Sequence, residues 1–209
     1  MLIVSASNVS TTRERSKSLT VATALKNGLE SLGLAGVRVI DLRDYDFGFC
    51  VMCQGCAAGD GCVRDPAFNA FHGLWKANDD VILVVPHYAS IPSKLLCAFE
   101  KLQETHYLAY CQGKGGAPAK RVMIIAHGGL TENYRDTYVN NLIKPLGGIV
   151  QSVGGTVVND LIDGPLCFGV KRYLDSKEAS GECFAKEDDD TEEKRVIESA
   201  LSYYGKGKA

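Results

Sequence analysis

Four of the eight cysteines fall within thirteen residues, as Cys50-x2-Cys53-x2-Cys56-x5-Cys62, while Cys97, Cys111, Cys167 and Cys183 are scattered. Closely spaced thiolates on one winding loop can converge from one side on a 4Fe-4S cube. Gly55, Gly59 and Gly61 give the backbone freedom to wrap around such a centre. Zinc also accepts four thiolates, but its structural sites usually pair two short hooks across a wider gap. A redox C-x-x-C dithiol and plain burial of free cysteine are the remaining readings. The compact spacing favours the cluster, with Cys50, Cys53, Cys56 and Cys62 as its ligands. The other four cysteines lack a second ligand at useful spacing, and Cys97 falls in a helical pattern as a small core residue.

A second chemical signal is Ser7-Asn-Val-Ser-Thr-Thr-Arg-Glu-Arg-Ser-Lys-Ser18. Hydroxyl donors and backbone N–H groups at the start of a helix make an anion site, and Arg13 or Arg15 adds charge-assisted hydrogen bonds. A capped helix with Ser16 as N-cap explains the same residues without a ligand. The segment has neither the G-x-G-x-x-G of a dinucleotide site nor the Walker lysine pattern. Two further stretches complete the set. Pro86-His-Tyr-Ala-Ser-Ile91 offers apolar and aromatic cover through Tyr88 and Ile91, and His127-Gly-Gly129 offers backbone that a flat ring can approach.

Short apolar runs alternate with amphipathic stretches and carry these segments. Strands are expected at Leu2 to Ala6, Val37 to Leu42, Val81 to Val85, Val122 to Ala126 and Thr156 to Leu161. Helices are expected at Ser16 to Leu32, Ala67 to Lys76, Ser93 to Tyr107, Tyr134 to Val153 and about Lys186 to Tyr204. This β-α alternation predicts an α/β, flavodoxin-like three-layer sandwich with a five-stranded parallel sheet in the order 2-1-3-4-5. One domain spans 1–209, with a cysteine-rich loop at about 45–66 and a C-terminal extension at about 163–209. Asp163 to Cys183 shows little periodicity. The acidic run Glu187 to Glu193 reads as a solvated helix start, where carboxylates suit the positive end of the helix dipole.

In an open parallel sheet, ligands sit beyond the carboxyl ends of the strands beside the first strand. The three segments that leave strands 1, 3 and 4 therefore converge, and together they favour a flavin mononucleotide (FMN) site. His72, His87, His106 and His127 form no metal pattern. An imidazole at His87 or His127 could tune the flavin ring, though a structural role fits both better.

Composition narrows the class. Hydrophobic residues make up 45% and charged residues 23%, with a formal net charge of −2, so nothing calls for nucleic acid or an anionic membrane as partner. The longest apolar run is too short to span a bilayer, and the N-terminus reads as a strand rather than a signal peptide. A cytoplasmic chain is expected, in which eight cysteines do not form a disulfide framework.

Over roughly residues 1–160 the chain resembles the NAD(P)H-dependent FMN reductase family and, through its cysteines, the iron–sulfur flavoproteins within it. The resemblance rests on Ser16-Lys-Ser-Leu-Thr-Val-Ala22 where the family has S-x-N-x-x-L-A. It also rests on P-x-Y followed by Leu95, and on His127-Gly-Gly129. It implies that Ser7, Arg13 or Arg15, Ser16 and Ser18 hold the FMN phosphate. By the same likeness Pro86, His87, Tyr88, Ala89, Ser90 and Ile91 line the ring, and His127, Gly128 and Gly129 its other edge. The sequence departs from the family at Ala6-Ser-Asn-Val9, where G-S-P-R is common. The implied activity is FMN-dependent electron transfer with NAD(P)H as co-substrate, a small-molecule acceptor, and a ferredoxin-like partner if a cluster relays electrons. Homodimers or homotetramers are implied as well. The rivals are a flavodoxin-like electron carrier without its own substrate, and a zinc-binding or redox-sensing regulatory protein.

Overall fold

The computed structural model describes residues 1–7, 16–58, 61–87, 90–114, 119–130, 134–170 and 189–206. Leu2–Ser5 (β1), Arg38–Asp41 (β2), Asp80–Pro86 (β3), Lys120–Gly128 (β4) and Gly155–Val157 (β5) pair in parallel in the order β2-β1-β3-β4-β5, as the sequence predicts. Six α-helices accompany them among the described residues: Lys17–Ser31 (α1), Pro66–Lys76 (α2), Ser93–Cys111 (α3), Tyr134–Tyr138 (α4), Lys144–Ser152 (α5) and Asp190–Lys206 (α6).

Successive strand residues point to opposite faces, and both faces are covered. Val81 to Val85 are all buried, so that strand reads as an unbroken apolar run. Leu2, Val4, Leu83 and Ile124 meet Phe68, Phe71 and Trp75 of α2 and Leu95, Phe99 and Leu102 of α3. Ile3, Ile82, Val84 and Ile125 meet Val21, Leu25 and Leu29 of α1 and Val196, Ala200 and Tyr204 of α6. Each fully buried Leu, Ile, Val or Phe contributes about 1.5–3 kcal/mol of transfer free energy. The C-terminal helix is thus part of the second core.

Two elements differ from the sequence expectation. The expected single helix from Tyr134 to Val153 contains one turn of π-helix, Val139–Ile143, between α4 and α5. Pro145 stands in the first turn of α5 and has no N–H to donate, which suits a break in the regular hydrogen-bond ladder just before it. The second difference lies at the sheet edge. The expected fifth strand, Thr156 to Leu161, stops at Val157 and turns into a 3-10 turn at Asn159–Leu161. A sixth strand, Cys167–Gly169 (β6), then takes up the same edge of β4 further along. Three residues are too few for a period-2 signal to register.

The gap between β5 and β6 leaves Ile124 without a strand partner on that side. Asn159 fills it. Its Oδ1 accepts from Ile124 N–H at 2.8 Å, and its Nδ2 donates to the Ile124 carbonyl at 2.7 Å. The side-chain amide stands in for a peptide unit of the missing strand. Asn159→Asp keeps the acceptor but turns a second acceptor toward the Ile124 carbonyl. That variant is expected to lose about 1–3 kcal/mol of stability, seen as a lower urea midpoint at an unchanged slope.

Candidate functional site

The alternation that fills the sheet faces with hydrocarbon changes character at the carboxyl ends of β1 and β4. On the α1 side, Ile3 is followed by Ser5 and Ser7, and Met123 and Ile125 by His127, all of them buried. Ser16 is the N-cap of α1, its hydroxyl accepting from Leu19 N–H at 3.3 Å. Ser18, one turn in, has its Oγ 2.7 Å from His127 Nε2. The imidazole stacks on Phe168 of β6, with centroids 5.4 Å apart. Four serines and a histidine thus gather where α1 begins, and Ser5 Oγ finds no hydrogen-bond partner among the described residues.

No carboxylate stands in the first turn of α1, so its positive dipole end stands beside this cluster without an acidic residue of its own helix. Lys17 is held aside by Glu193 of α6 at 2.6 Å. The acidic start of α6 is therefore not simply solvated. Glu192 also pairs with Arg135 and Arg195, each at 2.9 Å, and Asp189 accepts from Tyr134 Oη at 3.0 Å.

On the other side of the sheet, the turns after β3 and β4 lock together. His87 N–H donates to the His127 carbonyl at 2.6 Å, and the His87 ring lies 5.0 Å from that of Tyr138. Tyr138 Oη accepts from Leu130 N–H at 3.0 Å, and burial pushes its phenol up to about 12. A side chain at Gly128 would meet Tyr138 Oη at 2.6 Å and His87 Cβ at 3.2 Å. The bare backbone there is required by the protein's own packing. Burial lowers the His87 imidazole from its usual range, and its Nε2 has no partner among the described residues. Pro86 pairs with His127 in the ladder, Ile91 packs on the first core, and Gly129 follows β4 in the turn. Ser90 is a non-glycine residue with φ of 70°. Arg13, Arg15, Tyr88 and Ala89 lie outside the described residues.

The other non-glycine residues with left-handed backbone among those described are Met52 (φ 47°) and Gln54 (φ 56°), on either side of Cys53. Such conformations cost about 1–3 kcal/mol each and persist where surrounding structure enforces them. Here they fold the cysteine loop back on itself. Cys50, Cys53, Cys56 and Cys62 all line one cavity of about 170 Å³, closed by Lys101, Glu104 and Thr105 of α3. Among the described residues, no three Cys, His, Asp or Glu side chains stand close enough to share a single metal ion.

Cys62 is clamped by Asn69 of α2, which accepts from its N–H at 2.7 Å and donates to its carbonyl at 2.9 Å. A side chain at Gly55 would strike Val63 at 2.3 Å, so the two limbs of the loop touch there. Burial raises the Cys56 thiol, with Glu104 adding to the effect and the Thr105 hydroxyl opposing it. On the far side of Cys50 lies an open groove of about 600 Å³, walled by Met52, Glu104, His106, Tyr107 and Tyr110. Cys97 packs against the first core, Cys167 is buried in β6, and Cys183 lies outside the described residues.

The residues that sequence reasoning missed are those that support others. Lys101 is the clearest, buried on α3 with its ammonium 3.1 Å from Asp65 and 3.8 Å from Cys62 Sγ. Its signal was present, because it shares the apolar face of that helix with Ala98, Leu102 and Thr105. Asn69, Tyr138 and Asn159 carry no such signal, since each acts on backbone distant in sequence.

The model of a family described as NADPH-dependent FMN reductase matches residues 4–150. No functionally curated protein matches the chain. Among solved structures, an NAD(P)H:quinone oxidoreductase from Methanothermobacter marburgensis is similar, with a TM-score of 0.60 and 16% identity, covering 97% of this chain and 93% of that one. An FMN-dependent NADH-azoreductase from Bacillus anthracis str. Ames Ancestor, in complex with FMN, gives 0.56 and 14% identity, covering 97% and 98%. An azoreductase from Bacillus anthracis str. Sterne gives 0.58 and 12%, covering 98% of each chain. At these identities the likeness is one of fold.

The half-buried His87 generates a pH dependence. Its folded value lies below 6.5, so as pH falls through 6.5 the unfolded chain takes up a proton that the folded chain refuses. Stability is therefore lost between 6.5 and the lower folded value, and is unaffected above it. His87→Phe keeps a ring against Tyr138 without the titration. Urea midpoints at about pH 7.5 and 5.5 are expected to differ less in this variant than in the parent protein.

Proposed function

The chain belongs to the NADPH-dependent FMN reductase family and is an FMN-dependent oxidoreductase, and we propose that it passes electrons from NAD(P)H, or from a ferredoxin-like protein, to a small-molecule acceptor. The observation that carries this reading is the buried polar cluster at the carboxyl end of β1. There Ser5, Ser7, Ser16, Ser18 and His127 interrupt an otherwise apolar face beside the start of α1. Hydroxyls and a helix N-terminus with no carboxylate of its own fit a phosphate group.

In this reading Ser7 and Ser16, with Arg13 or Arg15, hold the FMN phosphate. Ser18, engaged with His127, fixes the floor beneath it. Pro86 to Ile91 line one side of the ring system, and Gly128 and Gly129 the other. Bound FMN supplies the hydride and electron chemistry. The chain supplies position: the His87–His127 backbone bond and the Tyr138 hydroxyl hold the two turns at a fixed spacing. Two of the neighbouring structures are named for a quinone and an azo activity, so flat conjugated acceptors are the class carried over here.

The cysteine loop fits a 4Fe-4S cluster held by Cys50, Cys53, Cys56 and Cys62. Its support is the common cavity, the two left-handed residues around Cys53, and the asparagine clamp on Cys62. Such a cluster supplies one-electron transfer. Homodimers or homotetramers accord with the surface around this loop. Of the eight large apolar or aromatic side chains exposed among the described residues, Phe49, Val51, Met52, Val63, Tyr107 and Tyr110 gather there. No helix among those residues is long and apolar enough to cross a membrane.

Anaerobically purified protein is expected to carry FMN that NAD(P)H bleaches in stopped flow, and about four iron and four sulfide per chain. Replacing Ser7 and Ser16 together by Ala is expected to weaken FMN binding at least tenfold in a fluorescence titration. Unchanged affinity would overturn the phosphate assignment, and a flavin that NAD(P)H does not reduce would overturn the reductase reading.

A further inference from the structure

Lys101 is an expensive residue in its position. Its side chain is 6% exposed, and a buried ammonium costs several kcal/mol unless its donors are satisfied. The contrast with Lys120, the other buried lysine among the described residues, is instructive. Lys120 spends its ammonium on two backbone carbonyls, those of Asn78 at 2.7 Å and Lys76 at 3.4 Å. Lys101 instead reaches from α3 into the cysteine cavity. One carboxylate oxygen of Asp65 lies 3.1 Å away, Cys62 Sγ 3.8 Å, and the face of Phe68 5.7 Å from the ring centre. Three N–H donors need acceptors, and a neutral thiol is a weak one. A thiolate bound to a cluster, or the sulfide of the cluster itself, is the acceptor that this arrangement lacks.

The other charges at the cavity do not replace it. Arg64 lies at the wall but is exposed, and Glu104 and Asp65 are negative. Asp65 is committed elsewhere too. It caps α2 by accepting from Phe68 N–H at 3.0 Å, and it accepts from Gly48 N–H at 3.3 Å. Lys101 is therefore the buried cation of the cavity, fixed by a carboxylate that also fastens the loop to α2.

We propose that Lys101 is the counter-charge of an anionic sulfur-ligated cluster in this cavity, and that it raises the reduction potential of that cluster. The proposal rests on the reading that Cys50, Cys53, Cys56 and Cys62 bind 4Fe-4S. A 4Fe-4S core of charge 2+ with four thiolates carries a net charge of −2, and −3 after one electron is added, with no bond made or broken. A fixed positive charge beside it stabilises the −3 state more than the −2 state. Net charge and hydrogen bonds to sulfur are the levers that set such potentials.

The test is a mediated potentiometric titration, followed by visible and electron paramagnetic resonance spectra, of anaerobically prepared protein with its iron and sulfide counted. Lys101→Gln is expected to lower the reduced-to-oxidised ratio at a fixed potential about tenfold, a shift of about 59 mV for one electron. Lys101→Arg is expected to restore most of it. Asp65→Asn keeps the helix cap but removes the neighbouring negative charge, and is expected to shift the ratio in the opposite direction. Shifts of opposite sign are not what a general loosening of the loop would produce. A Lys101→Gln protein with parental iron content and a ratio within twofold of the parent overturns the proposal and leaves the cluster intact. Should Lys101→Gln fail to fold, an unchanged potential in Asp65→Asn overturns it equally. Parent protein that takes up no iron and sulfide overturns the cluster reading, and this proposal with it.

Discussion

A parallel sheet buried on both faces has no side left for a ligand, and a polar side chain that enters those faces must do so at the strand ends. That constraint shapes this protein throughout. The interior of β1, β3 and β4 is hydrocarbon on both faces, so Ser5, Ser7 and His127 enter the α1 face only where these strands finish. The strand order then decides which ends matter. β1 and β3 are neighbours, and the chain leaves β1 toward the α1 face but β3 toward the α3 face, opening a crevice beside β1. The polar cluster and the start of α1 share that crevice.

The same requirement, that buried backbone groups be paired, explains two asparagines. Asn159 supplies a peptide-like pair of hydrogen bonds where the edge of β4 runs out of partner strand. Asn69 does the same for Cys62, where the cysteine loop has no sheet to join. Each lets an irregular segment sit against regular structure without stranding a donor or acceptor. In both cases the irregular segment is one that bears on the candidate sites: β6 carries Phe168 beneath His127, and the loop carries the thiols.

The two candidate sites are built differently. The polar cluster at the end of β1 is assembled from strand ends and a helix start, elements whose positions the core fixes. The cysteine cavity is built on a loop that holds its shape through Asn69, the contact of Gly55 with Val63, and the Asp65–Lys101 pair. α3 connects them, since it starts just after the turn that follows β3 and its third and fourth turns wall the cavity. The family assignment speaks to the first site, while the second rests on the cysteine spacing and its own geometry.

Much of this was legible in the residues. The alternation of apolar runs and amphipathic stretches marked the α/β class, because burial on one or two faces imposes a period that composition must obey, and the count of five strands favoured the order found. The four-cysteine spacing and the serine-rich segment after the first strand stand out as local patterns, since ligands on a single loop are neighbours in sequence. Everything that joins distant residues was settled by folding instead. Examples are Ser18 to His127, Lys101 to Cys62, Asn159 to Ile124, and the split of the edge strand into β5 and β6. A hydrogen bond across a hundred residues leaves no periodic trace, and a three-residue strand is too short to carry one. The residues alone therefore carried the scaffold and the signal for FMN. The packing of helices on the sheet chose which side chains would meet, because contact depends on where the folded chain returns to itself.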